Sequence, residues 1–243
     1  MKKAVWLLAL GQTMLWCCLY YVFPATLLHW ESAYGWSRSD LTLALTLAVG
    51  VSAIVAPFAG RIIDRGYGSI MMTMSATAGG ILLYLISVAD TLFSFYILWS
   101  IMGLAMAGCL YEPCFAFLVH CMKAGAKRAI TLITLMAGFA STICFPSVHY
   151  LHEHFGIEST LQIFSICVII VAGPLMFFGS RAVARDYLAS STASTSPTST
   201  DKIESATHFL TSPLFWLLTC GLRIFDVSSN SWCGNKSPTP INE

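Results

Sequence analysis

Apolar residues along this chain come in long runs that no charge interrupts. Residues 4–30, 41–60, 66–89, 91–111, 129–152, 159–180 and 205–222 contain no Asp, Glu, Lys or Arg. A helix needs about 20 mostly apolar residues to cross the hydrocarbon core of a bilayer, whereas buried helices of soluble proteins run to about 10–14. The pattern therefore predicts seven membrane-spanning helices. The first run follows Lys2 and Lys3, as the apolar part of a signal peptide would. At 27 residues it is longer than the about 7–15 of such a segment, and further spans follow it. It reads as an uncleaved first span.

Composition agrees. Only 10% of residues are charged and 56% are hydrophobic, against roughly a quarter charged in a soluble domain. Most of this surface is not built for water. Cys17, Cys18, Cys109, Cys114, Cys121, Cys144, Cys167 and Cys220 lie in or beside the apolar runs, and no C-x-x-C occurs. They read as small buried hydrophobes. A net charge of +1 carries no sign of a nucleic-acid partner.

The intervening loops differ sharply in sign. On one side lie Lys2, Lys3, Arg61, Arg65, Lys123, Lys127, Arg128, Arg181, Arg185 and Lys202; on the other only Arg38. Excess Lys and Arg mark the cytoplasmic side, which predicts a cytoplasmic N-terminus in the plasma (inner) membrane.

The expected organisation is a six-helix bundle over residues 1–180, a cytoplasmic Ser/Thr-rich linker over 181–205, a seventh span over 206–222 and a polar tail over 223–243. The linker has no apolar period and cannot bury enough surface to fold. Six spans, a linker and another span are the start of a transporter built from two six-helix halves. The tail, "RIFDVSSNSWCGNKSPTPINE", has no further span and suits a frameshift or premature stop. A native seven-helix protein with a polar external tail is the other reading. The sequon at Asn235 is read as accidental.

Between the second and third runs stands "GRIIDRGYGS", residues 60–69. A tight turn between antiparallel helices needs glycine for unusual backbone angles and close approach, and Gly66 and Gly68 offer both. Gly60, Asp64, Arg65 and Gly68 have the spacing of the loop 2–3 signature of the major facilitator superfamily, which the chain resembles. That family pattern continues with two basic residues, where this chain has Ser69 and Ile70. The resemblance implies that Asp64 is a latch between the inner ends of two transporter halves and that Arg65 supports it. The partner of such a latch would lie in a second half. Without that role, Arg61 and Arg65 are positive-inside anchors.

Residues 35–65 and 127–142 are similar to the monocarboxylate and oxalate–formate branch, through Trp36-Ser37-Arg38-Ser39 and Lys127-Arg128-Ala129. The resemblance implies an all-α, polytopic major-facilitator fold and a small organic solute, a carboxylate carried with protons in that branch. An anion would need a buried cation, and none lies within spans one to six.

Glu112, in "LAMAGCLYEPCFAFLVH", is the one acid inside a span. Intramembrane carboxylates are costly and point to function. Glu112 is therefore a candidate substrate or proton site, with the Tyr111 hydroxyl beside it; the alternative is a structural pair with Lys123 or Arg128. Pro113 is expected to kink that span. Gln12 and Tyr20 are candidate cavity residues of the first span. "HYLHEHF", residues 149–155, reads as a solvated outer loop and not a metal site. No cofactor motif, phosphate loop or catalytic constellation is present, so an enzyme is the weakest reading.

Three functions follow: a secondary transporter working by alternating access, an inactive membrane fragment of one, or a short dimeric membrane scaffold. In the first two, a missing C-terminal half is expected to be needed for activity.

Overall fold

The computed structural model describes residues 2–192, which are helical almost throughout and contain no strand. Helix α1 (Lys2–Leu15) passes into a π-helical turn (Trp16–Tyr21) and then α2 (Val22–Tyr34). Helices α3 (Arg38–Asp64) and α4 (Gly68–Ser87) follow. Next come α5 (Leu92–Cys109) and α6 (Tyr111–Met122), then α7 (Ala126–Ala137) and α8 (Ala140–Cys167). A second π-helical turn (Val168–Ala172) leads into α9 (Gly173–Thr192). The two π turns stand just before Pro24 and Pro174. Proline lacks the N–H of a regular helix, and a widened turn keeps the helix continuous across it.

Five helical stretches are long and apolar enough to cross a membrane: Lys3–Tyr34, Arg38–Asp64, Gly68–Ser87, Leu92–Met122 and Ala126–Tyr187. The last has 62 residues and would reach about 90 Å if straight, three bilayer cores. It turns back at Gly156, whose φ of 80° and ψ of 173° are not helical. Divided at Gly156, that stretch has the length for two crossings.

The outer end of the fifth crossing corrects the sequence reading. A loop is expected over 149–158, but His149–Phe155 is helical and Gly156 alone reverses the chain. Glycine takes a positive φ at little cost, so one residue suffices. The Thr160 hydroxyl donates to the Gly156 carbonyl at 2.7 Å and closes the start of the returning helix. Within this segment the His152 ring stacks on His29 of α2 at 3.6 Å. The inner end differs as well. The expected linker begins helical, because α9 runs on through Arg181–Thr192, rich in alanine and other helix formers. The rest of the linker, the seventh span and the tail lie outside the described residues.

Local signals set the helix starts. Ser37 accepts from the Asp40 N–H at 3.1 Å and caps α3, and Thr91 does the same for α5 from Ser94 at 3.2 Å. Across the outer turn from α2 to α3, Arg38 pairs with Glu31 at 2.7 Å.

Packing then orders the spans. The returning helix after Gly156 lies antiparallel to α4. Ser165 donates to the Gly80 carbonyl at 2.7 Å, and Ser69 meets Ser180 at 2.6 Å. Because Ser180 gives its proton to the Met176 carbonyl, Ser69 is the donor of that pair. Helix α5 packs on α3 so closely that a Cβ at Gly103 would fall on the Ala48 carbonyl. Small residues permit such approach between membrane helices. Phe23, Trp30, Phe95 and Trp99 form a buried aromatic core between α2 and α5, with Phe23 and Trp99 edge-to-face at 4.8 Å. The first crossing is 61% buried over its apolar window and α3 only 17%. The first span is therefore central and α3 peripheral. Its exposed Ile54 and Phe58 suit contact with lipid tails.

Candidate solute cavity

Two places bring the singled-out residues together. The first is the turn between α3 and α4. Helix α3 ends at Asp64, with Arg65 as its cap and Gly66 at φ 86°. The Gly66 N–H reaches the Ile63 carbonyl at 2.8 Å and the Tyr67 N–H the Ile62 carbonyl at 3.2 Å. This double closure is a Schellman motif, and its positive-φ position favours glycine. Gly68 opens α4 against Phe117 and Ile63, where a Cβ would lie 2.9 Å from the Phe117 ring. Gly60 has open space around it. Asp64 and Arg65 are exposed, and none of the described residues pairs with Asp64. Arg61 lies over the Phe58 ring at 5.1 Å. Ser69, at a position where the family loop carries a basic residue, is buried against Ser180.

The second place is inside the bundle. Pro113 offers no N–H to the Cys109 carbonyl, and its ring would clash with that oxygen in a regular helix. The span breaks at Leu110, whose ψ of −156° is extended. Helix α6 restarts at Tyr111. Gln12 of α1 repairs the gap: its Nε2 donates to the Cys109 carbonyl at 2.7 Å and to the Leu110 carbonyl at 3.4 Å. Two carbonyl acceptors require the nitrogen to face them. Gln12 is fully buried, and its Oε1 has no partner among the described residues.

The break leaves Glu112 exposed in the first turn of α6. A carboxylate is favoured there by the positive end of the helix dipole. None of the described residues forms an ion pair or hydrogen bond with Glu112, Lys123 and Arg128 included. In front of it lies a cavity of about 260 Å³, lined by Trp16, Tyr20, Val49, Ser52, Met106, Leu110, Tyr111 and Glu112. Trp16 packs at a tilt against Tyr111 at 4.6 Å and meets Tyr20 edge-on at 5.1 Å. The π turn helps to build this wall. Its i→i+5 bonding sets Trp16 and Tyr21 on successive turns, with rings 6.0 Å apart.

The structure thus places Glu112, Tyr111 and Tyr20 on one cavity and sets Gln12 behind its wall. It leaves Gly60, Asp64, Arg65 and Gly68 at a separate turn. Trp16, Val49, Ser52, Met106 and Leu110 also line the cavity, and sequence reasoning did not single them out. The signal for Trp16 was the aromatic run "WCCLYY" just ahead of Pro24. A further hollow of about 420 Å³, near Asp90 and Thr91, holds none of the singled-out residues.

A polytopic helical bundle with a mostly apolar cavity that holds one carboxylate has the build of a membrane transporter. The family model described as Major Facilitator Superfamily matches residues 8–231, almost the entire chain. The chain belongs to the Major Facilitator Superfamily. No curated protein and no solved structure matches it.

Proposed function

We propose that this multi-pass membrane protein is a secondary active transporter that moves a small organic solute by alternating access through the cavity at Glu112. Membership of the superfamily supports transport and argues against an enzyme. The observation that carries the reading is the unpaired carboxylate of Glu112, set among Trp16, Tyr20 and Tyr111 on a cavity wall. Glu112 lies in the apolar stretch Leu92–Met122, and an unpaired acid within a span is costly unless it takes a proton or a ligand. Proton coupling through Glu112 follows from that cost.

The α3–α4 turn is proposed as the gate, with Asp64 as the latch and Arg65 beside it. Both are exposed at the end rich in Lys and Arg, which supports a cytoplasmic N-terminus in the plasma (inner) membrane. The exposure of Glu112 and Asp64 supports a further helix bundle that covers both in the working transporter. Symport of a monocarboxylate is the specific form implied by the resemblance of residues 35–65 and 127–142. In that form Glu112 must be protonated as the anion passes.

The test is uptake by the purified full chain in liposomes, with an imposed pH gradient and a panel of labelled small carboxylates and amines. Gradient-driven uptake that Glu112→Gln abolishes supports the proposal. Absence of uptake for every solute assigns the chain to the inactive-fragment or scaffold readings. Cross-linked dimers would then favour the scaffold.

A further inference from the structure

The chemistry of the cavity wall points to one charge class of solute. Three of its lining side chains, Trp16, Tyr20 and Tyr111, are aromatic, and one, Glu112, is charged. Among the described residues, no Lys, Arg or His lines it. Ring faces carry the negative end of an electrostatic quadrupole and attract a cation within about 6 Å of the ring centre. The three rings pack against one another as one aromatic wall, with Tyr111 also stacked on Phe115, so a guest would lie against that wall and not between the rings. Their centroids lie 4.6 Å apart for Trp16 and Tyr111, and 5.1 Å for Trp16 and Tyr20. The carboxylate supplies a full negative charge at the same wall, and none of the described residues neutralises it.

An anionic guest would face the same groups with the wrong sign. A carboxylate would meet the ring faces and Glu112 without a donor cation to hold it. A neutral apolar guest would fill the space beside Val49, Met106 and Leu110 but leave the Glu112 charge unmatched within an apolar span, which is unfavourable. A compact ammonium group satisfies both parts: methyl groups against the rings, positive charge beside the carboxylate. Bulk suits it as well, since about 260 Å³ admits a small molecule and not a peptide.

We infer that the cavity selects a small organic cation, a quaternary or protonated amine held by the Trp16, Tyr20 and Tyr111 rings and paired with Glu112. The inference rests on the cavity being the solute site, as proposed above, and reverses the charge that the branch resemblance implies.

Three compounds of nearly the same shape test it: choline, its neutral carbon analogue 3,3-dimethylbutan-1-ol, and the anion 3,3-dimethylbutanoate. Each is titrated by calorimetry into the purified full chain in dodecyl maltoside micelles, which carry no charge. Choline is expected to bind at one site, at least about tenfold more tightly than the alcohol, the size of a well-formed cation–π and charge contact. Glu112→Gln is expected to weaken choline by about tenfold and leave the alcohol unchanged. Glu112 pairs with none of the described residues and Gln keeps its size, and an unchanged size-exclusion profile checks that the variant is folded. Trp16→Phe, which retains a weaker ring face, should fall between the two.

If the alcohol or the carboxylate binds as tightly as choline, and Trp16→Phe weakens it, the cavity is a solute site and the cation inference falls. If none of the three binds, the inference falls together with the cavity's role in transport. Choline binding that Glu112→Gln and Trp16→Phe leave intact places the site elsewhere and also overturns it.

Discussion

Two helices of this bundle, one ending at an exposed turn and one in the interior, satisfy their loose carbonyls in opposite ways. Helix α3 ends at Asp64 and closes on itself, with the Gly66 and Tyr67 N–H groups folding back to Ile63 and Ile62. Helix α5 ends at Cys109, where Pro113 removes the donor, and takes a donor from Gln12, 97 residues earlier in the chain. The first end is a local device. The second exists only when two spans are packed. The self-closing end carries a compact turn, whereas the dependent end opens the wall where Glu112 faces the cavity.

That contrast can be broken at several points. The largest effect is expected at Gly103, which seats α5 on α3 just ahead of the break. Its Cβ would strike the Ala48 carbonyl, so Gly103→Leu should yield no monodisperse protein on size exclusion. Gly103→Ala should cost about 1–3 kcal/mol as overpacking, measured by unfolding in mixed micelles.

Next comes Gln12→Leu. It strands the Cys109 carbonyl, a loss of about 1–3 kcal/mol in the same assay. Pro113→Ala restores a backbone donor to that oxygen. In the Pro113→Ala background the cost of Gln12→Leu should therefore shrink to a few tenths of that value. An undiminished cost would mean that Gln12 acts otherwise than through the break.

Gly66→Ala sharpens the other side of the comparison. A methyl group at φ 86° costs about 1–2 kcal/mol, at the lower end for one exposed turn. Because the closure is local, choline affinity should not change. The smallest effect is expected for Ser69→Ala, which removes one interhelical hydrogen bond worth about 0.6 kcal/mol. Loss of choline binding in either variant would show that the turn and the cavity are energetically joined.

The same contrast explains what could be read in advance. The turn at 60–68 was legible because glycines and charges there act through bonds only a few residues long. Glu112 was legible because a lone acid in an apolar run is conspicuous whatever surrounds it. Gln12 was singled out as a cavity residue, yet it is buried behind the wall, because the orphan carbonyl it serves lies in another span. Trp16 and Ser52 passed unnoticed because a polar or aromatic residue in an apolar run carries no mark of the direction it faces. His149–Phe155 looked like a loop by polarity. It is helical, with Gly156 turning the chain and His152 packed against His29.

The sequence by itself determined which described stretches are apolar enough to cross a membrane and where the α3–α4 turn falls. Charges pay too high a desolvation penalty to sit in hydrocarbon, and that penalty is a property of each segment alone. Only the tertiary structure decided which side chains share a cavity. Lipid and protein interior are equally apolar, so hydropathy places a residue in the membrane but does not choose its neighbours. That choice came from close contacts such as Gly103 on Ala48 and from the single carbonyl, at Cys109, that needed Gln12.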